Sequence, residues 1–255
     1  MIYGDSGVGK TVSSMALAQA ITPSDKSILY IDSAEGWVSL DNHKSLKVRT
    51  NYVKFQQFEI FEALAAAIRD GIKPWDTIGT VVLDEHSSMA IDDLDEVVLF
   101  RSKTNAGKDP DTPVMPDYNT NTNRTRKYLA DLIQLPHFNV ILTAHQRSDK
   151  DNMQREKIGP NYLPKLSSTI RGMLHLVAYM TADIDKEEKV VVRKFQCHPT
   201  TRIVAKTRIG GLPPVTTLRE LANVVNEWLL GDHPTEPAPE PEVINELPEA
   251  VMEEE

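Results

Sequence analysis

The chain opens MIYGDSGVGKT, and residues 4–11 read Gly4-x-x-x-x-Gly9-Lys10-Thr11. This matches G-x-x-x-x-G-K-[ST] at every fixed position. No other stretch constrains the fold as strongly. Such a loop joins the end of a buried strand to the start of a helix. Its backbone N–H groups turn inward around an anion, and the positive end of the helix faces the same charge. The residues after it, VSSMALAQA, are good helix formers. The candidate nucleotide-binding residues are therefore Gly4, Asp5, Ser6, Gly7, Val8, Gly9, Lys10, Thr11 and Val12. In such loops the lysine reaches the β- and γ-phosphates of ATP and the hydroxyl holds Mg²⁺, which assigns Lys10 and Thr11 to those roles.

A strand should precede the loop, yet only Ile2 and Tyr3 are available for it. Buried strands usually run to about 5–6 residues. Either the sheet tolerates a stub or the first strand is truncated because the natural protein starts earlier; the second is the expectation.

Further along, strand and helix signals alternate. SILYID (27–32), GTVVLDE (79–85) and FNVILTAH (138–145) read as buried strands. The segments FQQFEIFEALAAAIRDG, SMAIDDLDEVVLF, TRKYLADLIQLP and TLRELANVVNEWLL read as helices, the last capped by Thr216 or Thr217. MLHLVAYMTAD, KVVVRKF and RIVAKTR are strand-like. Two polar stretches, 101–123 and 149–168, read as loops. Alternation of this kind predicts an α/β fold with a mostly parallel sheet and helices on both faces. A core over 1–231 would be followed by a disordered acidic tail over 232–255. The tail carries nine acidic residues and no Lys or Arg, so it holds the whole net charge of −9 and leaves the rest of the chain neutral. It is also rich in proline, and such a segment buries too little surface to order itself. It could serve as a solubilising tail or recruit a partner. One cysteine, Cys197, excludes an internal disulfide and fits a reducing, cytoplasmic compartment. No apolar run approaches the roughly 20 residues needed to span a membrane.

Ligands on parallel sheets bind past the carboxyl ends of the strands. That rule collects Asp32 and Glu35, Asp84 and Glu85, and His145 and Gln146. Asp84 follows an apolar run, as an Mg²⁺-supporting carboxylate should. Glu35 or Glu85 could orient the attacking water, and His145 or Gln146 could sense the γ-phosphate.

These segments together resemble the RecA family. YIDSAEGW is similar to the strand end that carries the water-activating acid, at Glu35. VVLDE is similar to the metal-supporting strand, and LTAHQ to the strand that enters the first DNA-binding loop, with Gln146 at the phosphate-sensing position. LSSTIRGMLHLVAYM is similar to the strand after the second DNA-binding loop. IVAKTRIGGLPP is similar to the stretch supplying basic fingers to a neighbouring subunit's nucleotide, which places Lys206 and Arg208 in that role. The resemblance covers about residues 1–230 and is nearest to compact, core-only bacteriophage proteins that anneal single strands. It implies a RecA-like ATPase acting on single-stranded DNA in the host cytoplasm, assembled as a ring or filament with ATP between subunits. A single-strand binding protein is a possible partner. A hexameric helicase or loader, and a nucleotide-switched scaffold working through its tail, are the alternatives. Within 147–168, Arg147, Lys150, Arg155, Lys157 and Lys165 offer phosphate contacts and Tyr162 a stacking face. Arg124, Arg126 and Lys127 form a second basic group.

Overall fold

A computed structural model describes residues 1–104, 109, 111–150, 153–184 and 190–231. The acidic tail lies outside the described residues. In chain order the elements are β1 (Ile2–Gly4), α1 (Lys10–Ile21), β2 (Ser27–Asp32), β3 (Thr50–Lys54), α2 (Glu59–Arg69), β4 (Ile78–Asp84), α3 (His86–Thr104), α4 (Met115–Ile133), β5 (Asn139–Lys150), β6 (Glu156–Pro160), α5 (Pro164–Met173), β7 (Leu176–Ile184), β8 (Val191–Gln196), β9 (Lys206–Thr207), β10 (Val215–Thr216) and α6 (Leu218–Leu230).

The sheet runs β10-β8-β7-β1-β5-β4-β2-β3, with β6 paired to β5 and β9 to β7. The six strands from β7 to β3 are mutually parallel. The added strands β6, β8, β9 and β10 are antiparallel. Although β1 has three residues, it sits between β5 and β7. Tyr3 pairs with Ala144 on one side and Tyr179 on the other.

Period-two alternation divides the core between the two faces of the sheet. Tyr3, Leu29, Ile31, Val81 and Leu83 point to one face, where Phe58, Phe61, Met89, Leu129 and Ile170 come from α2 to α5 and the approach to α2. Ile2, Ile28, Tyr30, Val82 and Met180 point to the other, under Met15 and Leu17 of α1 and Leu221 and Val225 of α6. Helix α6 starts at Thr217, which forms a capping box with Glu220.

Parts of both polar stretches differ from the expectation of loops, and residues 105–108, 110, 151 and 152 lie outside the described residues. Residues 115–123 begin α4, with Pro116 in its first turn and the Asp117 carboxylate accepting the Val114 N–H at 2.8 Å. The polar side chains that hide this helix are used inside. Asn121 donates to the Ala90 carbonyl and to Asp93 at 2.9 and 2.8 Å, and Arg124 Nε lies 2.8 Å from Asp93. In the second stretch β5 continues to Lys150 and turns into β6, and α5 follows. RIVAKTR contributes only the two residues of β9 and a single bridge from Ile203 to Ile158.

His86, at the head of α3, is fully buried, and its Nδ1 lies 2.8 Å from the Tyr162 hydroxyl. Burial lowers its pKa to about 4, from 6.5. Below pH 6.5 the unfolded imidazole therefore takes up a proton that the folded one refuses. Stability falls as pH drops from 6.5 to 4, by up to about 3 kcal/mol from this group alone. In urea titrations across that range, His86→Asn is expected to show a shallower loss than the native chain. Other titrating groups cancel in the difference.

Candidate nucleotide-binding site

The phosphate loop hangs from β1 at the carboxyl edge of the sheet. Gly7 and Gly9 take left-handed backbone angles, φ 76° and 96°, which an L side chain resists. Lys10 begins α1 and is buried; its Nζ donates to the Asp5 carbonyl at 3.0 Å and lies 3.3 Å from Glu85 Oε1. Thr11 Oγ1 donates to Asp84 Oδ2 at 2.7 Å. Asp84 is fully buried and accepts two more hydroxyls, from Tyr30 and Thr143, each at 2.5 Å. Burial, and then Asp84 itself, push the Tyr30 phenol far up, so it remains a donor.

The donor set tests the Mg²⁺ assignment. One carboxylate and one adjacent hydroxyl, both hard oxygen ligands, face the phosphate loop. Mg²⁺ is typically held this way, with nucleotide phosphates and waters completing the shell. Among the described residues no group of three or more His, Cys, Asp or Glu could hold a metal by itself. Thr11 and Asp84 therefore fit Mg²⁺ as a companion of nucleotide.

Glu85 adopts φ 57°, rare for a residue with a side chain. Its N–H donates to Thr143 Oγ1 at 2.7 Å. Its carboxylate lies between Lys10 and His145 Nε2, the latter at 3.1 Å. Burial pushes its pKa up, against the opposing pull of Lys10 and His145. The next residue, Gln146, has a buried side-chain oxygen without a hydrogen-bond partner. Glu35 is exposed and also left-handed, φ 59°. Its turn is fixed by Asp32, which accepts the N–H groups of Ala34, Gly36 and Trp37 at 3.0, 3.0 and 2.9 Å.

Three participants escaped the sequence reading. Gly36 packs so closely that a Cβ there would stand 2.2 Å from Asp84 Oδ2 and 3.2 Å from Thr11 Oγ1. Tyr30 and Thr143 reach Asp84 from neighbouring strands. Only the lateral register of β2, β4 and β5 brings them together, and no local pattern encodes that register.

The other candidates lie elsewhere. Lys206 and Arg208 sit beside the amino end of β7, the opposite edge from the loop. Lys206 donates to the Arg171 and Gly172 carbonyls at 2.6 and 3.2 Å, and Arg208 to Gly172 at 3.1 Å, so both cap α5. Tyr162 corrects the expectation of a stacking face: it is 5% exposed and held under His86. Lys150, Arg155 and Lys157 are exposed on the β5–β6 hairpin. Arg147 pairs with Asp149 at 2.9 Å, and Lys165 donates to Asn119 at 3.1 Å. The second basic group is largely neutralised, Arg124 by Asp93, Glu59 and Glu96, and Lys127 by Glu62. Among the described residues no helix is long and apolar enough to cross a membrane.

A family model described as an AAA domain matches residues 1–209. A search of curated proteins gives no match. The match takes in the loop, Asp84, Glu85 and the whole parallel sheet. The chain belongs to the AAA domain family of P-loop ATPases.

Proposed function

We propose that this AAA-domain chain is a RecA-like ATPase that works on single-stranded DNA, in annealing or recombination. The observation that carries the nucleotide half is the Thr11–Asp84 pair beneath the loop, with Lys10 buried beside it. Bound Mg²⁺ would supply neutralisation of phosphate charge. Lys10 exchanges Glu85 for phosphate oxygens. Thr11 and Asp84 would hold the metal. Glu85 is the better placed of the two acids to orient water, because its carboxylate already touches the lysine that holds the γ-phosphate. Electrostatic placement of this kind accounts for most of the catalysis in phosphoryl transfer.

The DNA half is supported by continuity. His145 touches Glu85 in the nucleotide site, and the same strand carries Arg147 to Lys150 outward to the β5–β6 hairpin. Lys150, Arg155 and Lys157 are the phosphate contacts proposed there. Lys206 and Arg208 would act on a neighbour's nucleotide in a head-to-tail oligomer, a role resting on the resemblance. The acidic tail would recruit a single-strand binding protein.

Steady-state ATP hydrolysis with and without single-stranded DNA tests the reading. The expected result is turnover stimulated by DNA, with stimulation reduced in Lys150→Ala/Lys157→Ala. Turnover indifferent to DNA would overturn the DNA half. Unwinding of duplex by closed rings would favour the helicase reading.

A further inference from the structure

The nucleotide site has a cation that neither the loop motif nor the family match assigns. Arg193 lies on β8 opposite Ala182 of β7. Gly4, at the end of β1, is in register with Met180 of the same strand. Arg193 is thus carried just past the strand end, to the level of the phosphate loop. Its Nε donates to the Val8 carbonyl at 3.1 Å. The guanidinium lies against Gly9: a Cβ there would stand 2.6 Å from Nε, 3.1 Å from Nη2 and 3.2 Å from Cζ.

The guanidinium is half-buried, and among the described residues no carboxylate pairs with it and Val8 is its one acceptor. A guanidinium has five N–H donors. Four of them remain, on a partly desolvated charge at the rim of an anion site. An unpaired, partly buried charge is costly unless an opposite charge arrives. Arginine's planar fork suits phosphate oxygens.

We propose that Arg193 is a nucleotide-binding residue acting in cis, donating to a phosphate oxygen of the bound nucleotide while its Nε holds the loop. This rests on the nucleotide reading of the loop. It also explains why Gly9 has no side chain beyond the demand of its backbone angle: a methyl group would displace the guanidinium.

The test is the affinity of the full chain for ATP and Mg²⁺ by calorimetry, with Arg193→Gln, Arg193→Lys and Lys10→Ala side by side. Melting temperature without nucleotide checks that each variant folds. Arg193→Gln is expected to melt like the native chain yet bind ATP about tenfold more weakly, the size of a charge-assisted hydrogen bond. Arg193→Lys, which keeps the charge, should recover part of that loss. Native affinity in Arg193→Gln overturns the proposal. So does equal weakness in Arg193→Lys and Arg193→Gln, which would make the guanidinium only a brace for Val8. If the native chain itself binds no ATP, the nucleotide reading has failed instead.

Discussion

Gly36→Ala is expected to cut Mg²⁺-dependent ATP turnover sharply while leaving most of the fold in place. The added methyl would stand 2.2 Å from Asp84 Oδ2 and 2.6 Å from the Tyr30 hydroxyl. Neither neighbour can retreat. Asp84 is fixed by Thr11, Tyr30 and Thr143, and Tyr30 is fully buried. The turn carrying Gly36 is tied by three N–H groups to Asp32. Something must still move, and the carboxylate next to the metal position takes the contact. Overpacking of this kind costs about 1–3 kcal/mol of stability, a modest part of the total for a domain. The effect on turnover should reach roughly a hundredfold, as for removal of one preorganised charge-stabilising group. Steady-state hydrolysis and the melting-temperature shift on adding ATP and Mg²⁺ measure both. A variant that folds and turns over at the native rate would show that Asp84 does not serve the metal.

Lys10→Ala should lose turnover by a factor of roughly a hundred to a thousand, and it carries a second consequence. Glu85 is then left buried with His145 as its one remaining ion-pair partner among the described residues. Breaking a buried ion pair by removing one partner is more damaging than never having had it. The single variant should therefore be less stable without nucleotide than the native chain. The double variant Lys10→Ala/Glu85→Gln should regain stability without regaining turnover. Urea unfolding and hydrolysis, run on both, separate the two roles of the lysine. If the double variant were no more stable than the single one, Glu85 would not depend on Lys10 for its charge.

The parts legible in the sequence were those encoded by contiguous residues. The loop, the apolar strands and the acids at their ends could be placed by position, and the parallel α/β architecture followed from the alternation. What could not be read was whatever depends on strands lying side by side. Gly36, Tyr30, Thr143 and Arg193 reach the site from three separate segments, and each looks ordinary among its neighbours. The start of α4 was hidden for a different reason. Its Asp, Asn and Thr residues look like a loop because such side chains compete for backbone hydrogen bonds. Here Asp117 caps the helix and Asn121 is satisfied by Ala90 and Asp93. Tyr162 was misplaced because an aromatic among charged residues looks exposed, while the His86 that shelters it lies far off in sequence.

The length of β5 has a mechanical consequence. At about 3.3 Å per residue, a twelve-residue strand is about 40 Å long. Its first half is clamped in the sheet by β4 and β1, and its second half pairs, among the described strands, with β6 alone. That makes it a cantilever. A few degrees of tilt at the root, where His145 meets Glu85, become ångströms at the tip near Lys150. The relation also runs in reverse: a load on the tip is felt at the root as a small torque on the carboxylate that touches Lys10.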